Sequence, residues 1–246
     1  MADPPKTVAE LDDRQRGIDH RGIETPPRIP QTTTPMTTAA PPLEERPLPA
    51  PKYRLITKRI DAFWLHGSKL DAAREISAAS EIWSQCGIVF EIVSTTNYDA
   101  DQTRRLLAVT EPVGGTPAQE PTVIVDPDST TPSMENLRRE WRSKRRGDYA
   151  VFFAPKVFLI PSAAPSAADP DLDMVYIGEN KHGFWPGWVV AHELGHRLID
   201  PTATHAVLQS PLMKPEHPGN DIVELECRAA RGDAKARFEI TRRSQR

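Results

Sequence analysis

Two histidines four residues apart flank a glutamate in His192-Glu193-Leu194-Gly195-His196. On a helix, four residues advance about 400°, so positions i and i+4 share one face. Two imidazoles stacked there can share one metal ion. Neutral imidazole nitrogen suits Zn²⁺, and a catalytic zinc keeps one position open for water. Zinc lowers that water's pKa to roughly 7. A carboxylate on the neighbouring side of the same turn, Glu193, can then take its proton. The plain alternative is an amphipathic helix carrying two satisfied histidines.

A third ligand is required. Pro disfavours helical backbone in the residue before it, so the chain should turn at Asp200-Pro201. His205, nine residues past His196, lies beyond that turn and could fold back to the metal. Glu216, twenty residues past His196, and Asp200, four residues past it, are the rivals. Glu216 sits between Pro215 and Pro218, which opposes a regular ligand-bearing helix. His205 is the expected ligand.

The run H-E-L-G-H, a later His and Ser210-Pro211-Leu212-Met213-Lys214-Pro215 resembles the metzincin zinc endopeptidases, above all the compact matrixin-like bacterial ones. By position, His192 and His196 match that family's first two ligands, Glu193 its general base and Met213 its Met-turn residue. The family's glycine would fall at Ile199 and its third histidine at Thr202, so His205 matches only with a loop three residues longer. A second point of resemblance is the opening order: strand, helix with Ile82-Trp83 near its end, Cys86-Gly87-Ile88, strand. Together the two cover most of residues 53–230. The resemblance implies one zinc per chain, a polypeptide substrate and peptide-bond hydrolysis. It also implies that an edge strand beside the cleft, either Asp173–Gly178 or the strand before it, pairs with extended substrate.

The elements that must position these residues can be read in order. Tyr53 to Leu65 is β-branched and aromatic, and reads as a strand. Ser68 or Asp71 caps a helix from Ala72 to Gln85, with Ala72, Ile76, Ala79, Ile82 and Trp83 as its apolar stripe. Ile88–Val93 is a strand, Asp101–Leu107 a short helix and Thr122–Val125 a short strand. Pro132-Ser133 opens a helix from Met134 to Lys144, whose basic run from Arg138 to Arg146 reads as a solvated helix end. Tyr149–Ile160 is one or two strands interrupted at Pro155. Pro161–Pro170 reads as a small-residue loop, and Asp173–Gly178 as a strand. Tyr176 and Trp185 line the cleft or the core, and His182 is a loop residue. Asn220 or Asp221 caps one final helix to about Phe238. The expected fold is α/β, α+β and zincin-like: a small, mostly parallel sheet, an N-terminal helix, a zinc-bearing helix and a C-terminal helix.

The chain has 246 residues, enough for one domain with a sizeable core. Its net charge of −3 gives no global attraction to nucleic acid or membrane. Residues 1–51 hold eleven of the 25 prolines and no aromatic residue, so they read as a disordered Pro/Thr-rich segment. The zincin-like domain is placed at 52–240 and a basic tail at 241–246. No secretory signal or spanning segment is visible, so the chain is expected to be cytoplasmic as made, with any export by a non-classical route. It is expected to act as a monomer, without nucleic acid or membrane partners. Cys86 and Cys227 both lie in apparently helical contexts and read as buried free thiols. The function expected is zinc-dependent endopeptidase. The alternative is an inactive zincin-fold module for metal or peptide binding, or an exported effector.

Overall fold

The computed structural model describes residues 52–108, 121–162, 164, 166–179, 187–201, 205–214 and 219–244. The readings of residues 1–51, His182, Trp185 and Glu216 lie outside these. Strand β1 (Ile56–Trp64) leads into α1 (Ala72–Trp83), which Asp71 caps by accepting from the Arg74 amide. A 3₁₀ turn, Ser84–Cys86, brings the chain into β2 (Ile88–Asn97). After α2 (Ala100–Leu106) come β3 (Thr122–Val125) and α3 (Pro132–Lys144), and then β4 (Tyr149–Phe153) and β5 (Lys156–Leu159). The short strands β6 (Ser166–Ala168) and β7 (Met174–Ile177) precede α4 (Trp188–Ile199). A 3₁₀ turn at Pro211–Met213, α5 (Glu224–Ala230) and α6 (Ala234–Ser244) close the chain.

The main sheet runs β2-β1-β4-β7-β6, and β3 pairs with β5 in a separate two-stranded sheet. Strands β2, β1, β4 and β7 are parallel, and only β6 is antiparallel. This is the expected α+β, zincin-like arrangement. Both faces of the sheet are covered. On one face Ile60, Val151, Phe153 and Val175 pack with Ile76 and Trp83 of α1 and Val190, Leu194 and Leu198 of α4. On the other, Phe63, Ala150, Phe152 and Tyr176 pack with Met134, Leu137 and Trp141 of α3. A strand buried on two faces reads as continuously apolar, which is why every residue of β4 is buried.

Tyr149–Ile160 is two strands interrupted at Ala154-Pro155, as expected, and the two lie in different sheets. Several other expectations are corrected. Strand β7 is internal, between β4 and β6; the edge is β6, which falls in the segment expected to be a loop. The single final helix is two, α5 and α6, and the residue at the start of α5 is Val223 rather than Asn220 or Asp221. The segment 241–246, read as a basic tail, is helical as far as Ser244. Cys86 and Cys227 are not free thiols but a disulfide. The turn after α1 lies against α5 with the two Cα atoms 5.0 Å apart, inside the range a disulfide can bridge. Arg138 is not solvated but buried in an ion pair with Asp169. Among the described residues, no helix is long and apolar enough to cross a membrane.

Candidate metal centre

Helix α4 is set against α1 by a close approach at its first turn. Gly187 has φ +75°, and a Cβ there would lie 2.4 Å from the Ala78 Cβ and 2.7 Å from the Glu75 carbonyl oxygen. Its amide donates to the Glu75 carboxylate. Deeper in the contact, the buried Trp83 indole donates to the Ala191 carbonyl at 3.0 Å. These contacts fix the rotation of the helix that carries His192, Glu193 and His196.

His192 is oriented from outside its helix. Its Nδ1 lies 2.8 Å from the Leu212 carbonyl oxygen, which can only accept, so Nδ1 carries the proton and Nε2 the lone pair. Trp188 stacks on its ring at 4.9 Å between centroids. The chain beyond Pro201 brings His205 back, so that its Nε2 lies 3.0 Å from the Nε2 of both His192 and His196. Lys214 donates to the His205 carbonyl at 2.9 Å. Three imidazole nitrogens bound tetrahedrally to zinc would be about 3.3 Å apart, given Zn–N distances of 2.0–2.1 Å. The donor set and its spacing therefore fit a single zinc ion. Among the described residues, these three histidines form the group able to hold a metal. Asp200 is not in that group; its carboxylate accepts from the Thr241 hydroxyl of α6 at 2.6 Å.

Below the histidines, Met213 packs on the helix backbone at Gly195. A Cβ on Gly195 would meet the Met213 Sδ at 2.5 Å. The turn bearing Met213 is tied down by Glu226 of α5, a buried carboxylate that accepts from the amides of Gln209 and Ser210 and from the Ser210 hydroxyl. Sequence reasoning missed Glu226. Its available signal was an acid sharing a helix face with Ala229 and Ala230, at i+3 and i+4.

Glu193 is buried, and its carboxylate is held by strand β6. The Ser166 hydroxyl donates to its Oε1 at 2.7 Å. Burial pushes its pKa up to about 7, against the opposing pull of the Ser166 hydroxyl, of His205 and of the Ala168 backbone. A carboxyl poised near neutrality suits proton transfer. Ser166, in a run of small residues, was also missed.

The turn from β6 to β7 has its own anchor. Asp169, fully buried, accepts from Arg138 Nε and Nη2 at 2.9 and 2.8 Å, from the Tyr176 hydroxyl at 2.6 Å and from the amides of Asp171 and Leu172. Its backbone carbonyl accepts from Arg197 of α4. Tyr176 is thus a core residue of this network and does not line a cleft.

No protein-family model and no curated protein matches the sequence. A solved structure that resembles it is a zinc-dependent peptidase from Methanocorpusculum labreanum (strain Z). The two are 14% identical, with a TM-score of 0.35, over 70% of this chain and 98% of that one.

Proposed function

We propose that residues 52–240 form a metzincin-type zinc endopeptidase domain, with residues 1–51 an appended segment. The observation that carries this reading is the convergence of three imidazole Nε2 atoms on the helix that also bears the buried Glu193 carboxylate. His192, His196 and His205 would hold one zinc per chain. When bound, zinc polarises a substrate carbonyl and acidifies water. Glu193 takes a proton from the attacking water and delivers it to the leaving nitrogen. Among the described residues β6 is an edge strand of the sheet, on which an extended polypeptide could add as a further strand. Water exclusion comes from the packed floor formed by Leu194, Leu198 and Met213.

The test is Glu193→Gln, which keeps size and removes the base. The variant should retain zinc and its fold while peptide hydrolysis falls about 10²–10⁴-fold. His205→Ala should lose zinc, and Asp200→Asn should keep it. A wild-type protein that binds zinc yet cleaves nothing in a diverse peptide library would favour a binding module instead. Equal cleavage by Glu193→Gln would overturn the role given to Glu193.

A further inference from the structure

Strand β6 does two things at once. Its pairing register with β7 joins Ser166 to Ile177, Ala167 to Tyr176 and Ala168 to Val175. The Asp169 amide donates to the Met174 carbonyl, which makes the odd-numbered residues the inward, bonded ones. In an antiparallel ladder the alternate residues then turn their N–H and C=O groups the other way. Ser166 and Ala168 therefore present their backbone groups to the free edge. The Ser166 side chain reaches the Glu193 carboxylate, and it is buried.

We infer that Ser166 is a positioning residue for Glu193, so that the strand offered to an extended peptide is also the strand that aligns the base. This rests on the endopeptidase reading above. The Ser166 hydroxyl donates to Oε1 at 2.7 Å and so fixes where the carboxylate's lone pairs point. Without that hydroxyl the buried carboxylate loses its donor from β6 and can swing. A peptide pairing with the outward N–H and C=O of Ser166 stiffens the backbone from which that hydroxyl projects. Binding energy from residues remote from the scissile bond is thereby converted into alignment of the base. The β6–β7 turn is rigid enough for this, because Asp169 locks it to α3 through Arg138 and to α4 through Arg197. A serine that merely satisfied a buried edge would place no constraint on turnover.

The experiment uses the full chain loaded with zinc and compares wild type with Ser166→Ala, Ser166→Thr and Ser166→Cys. Ser166→Ala should keep its zinc content and lose kcat about 10–100-fold, with KM within about threefold. Ser166→Thr retains the hydroxyl and should restore kcat to within a few-fold of wild type. If the added methyl prevents folding, Ser166→Cys, near-isosteric with a weak donor, should give a kcat between those of alanine and wild type. An unchanged kcat in Ser166→Ala overturns the inference. So does a loss confined to KM. If wild type cleaves and Ser166→Ala cleaves equally fast, this inference alone falls. If wild type cleaves nothing, the endopeptidase reading falls and takes the inference with it.

Discussion

Gly195 and Met213 are in direct contact: a Cβ built on Gly195 would lie 2.5 Å from the Met213 Sδ, 3.1 Å from its Cε and 3.2 Å from the Trp83 ring. The glycine inside the histidine motif is therefore a packing requirement. Two effects oppose each other in Gly195→Ala. Alanine gains about 1 kcal/mol of helix propensity. Overpacking a buried contact costs about 1–3 kcal/mol, and both Met213 and Trp83 are fully buried. The clash should win, so the variant should unfold at lower temperature than wild type. Zinc affinity should fall too, because the displaced turn carries the Leu212 carbonyl that orients His192. Thermal unfolding and chelator competition measure the two effects. A variant with unchanged zinc affinity would show that the contact does not support the site.

The disulfide closes a sequence separation of 141 residues. A long closed loop restricts the unfolded chain strongly, and losing a native disulfide costs about 2–5 kcal/mol. Cys227→Ser should lower stability by that order in urea titration. A thiol count on wild type, unfolded without reductant, should find no free thiol. Two free thiols would show that the bridge does not form.

The histidine motif, its helix and the turn at Pro201 were legible because the i, i+4 spacing and the proline act locally. Strand β1, helix α1 and β2 were legible for the same reason, through β-branched runs and an apolar stripe. What escaped depends on partners distant in sequence. Strand β6 is Ser-Ala-Ala and has no β-branched residue; it is a strand because β7 pairs with it. Cys86 and Cys227 meet only once α5 packs on the turn after α1. Arg138 looks like its basic neighbours, and only the fold supplies Asp169. Ser166 and Glu226 escaped similarly, since neither belongs to a motif and each acts on a residue brought near by folding.

Asp61 gives the fold a defined response to acid. It is fully buried on β1 and accepts from Trp141 Nε1 at 3.1 Å, the Arg146 and Gly147 amides at 2.9 and 2.7 Å, and the Ser94 hydroxyl. Burial opposes its charge, but these hydrogen bonds outweigh burial and hold the carboxyl below the usual range. A depressed folded-state pKa adds stability above the unfolded value of about 3.9, and that stability is lost as pH falls through the folded value. Asp61→Asn can keep an oxygen on the three N–H donors but removes the charge and turns an NH₂ toward the Ser94 hydroxyl, and should cost about 1–3 kcal/mol at pH 7. The difference from wild type should shrink as pH drops below about 4. Urea titrations at pH 7 and pH 3 decide this; the same difference at both would mean the charge on Asp61 is irrelevant.

Glu226 should matter to the metal although it is not among the three histidines that would hold it. Its carboxylate takes the Ser210 amide at 3.2 Å, together with the Gln209 amide and the Ser210 hydroxyl. The next residues are Pro211, Leu212 and Met213, of which Leu212 orients His192 and Met213 packs on Gly195. A carboxylate is acceptor-only, and all three of its partners are donors. In Glu226→Gln the oxygen can keep the two amides, but the amide nitrogen then faces the Ser210 hydroxyl, whose proton loses this acceptor. That should cost about 1–3 kcal/mol of stability. Groups that orient a ligand from behind typically contribute 10–100-fold to metal affinity. Zinc affinity of Glu226→Gln should therefore fall by about that factor, while the three histidines are intact. Ser210→Ala removes one donor and leaves the carboxylate its two amides, so its loss should be smaller. Competition against a chromogenic chelator ranks the three proteins. If folded Glu226→Gln binds zinc within about twofold of wild type, the turn keeps its shape without the carboxylate and the proposed link from α5 to His192 fails.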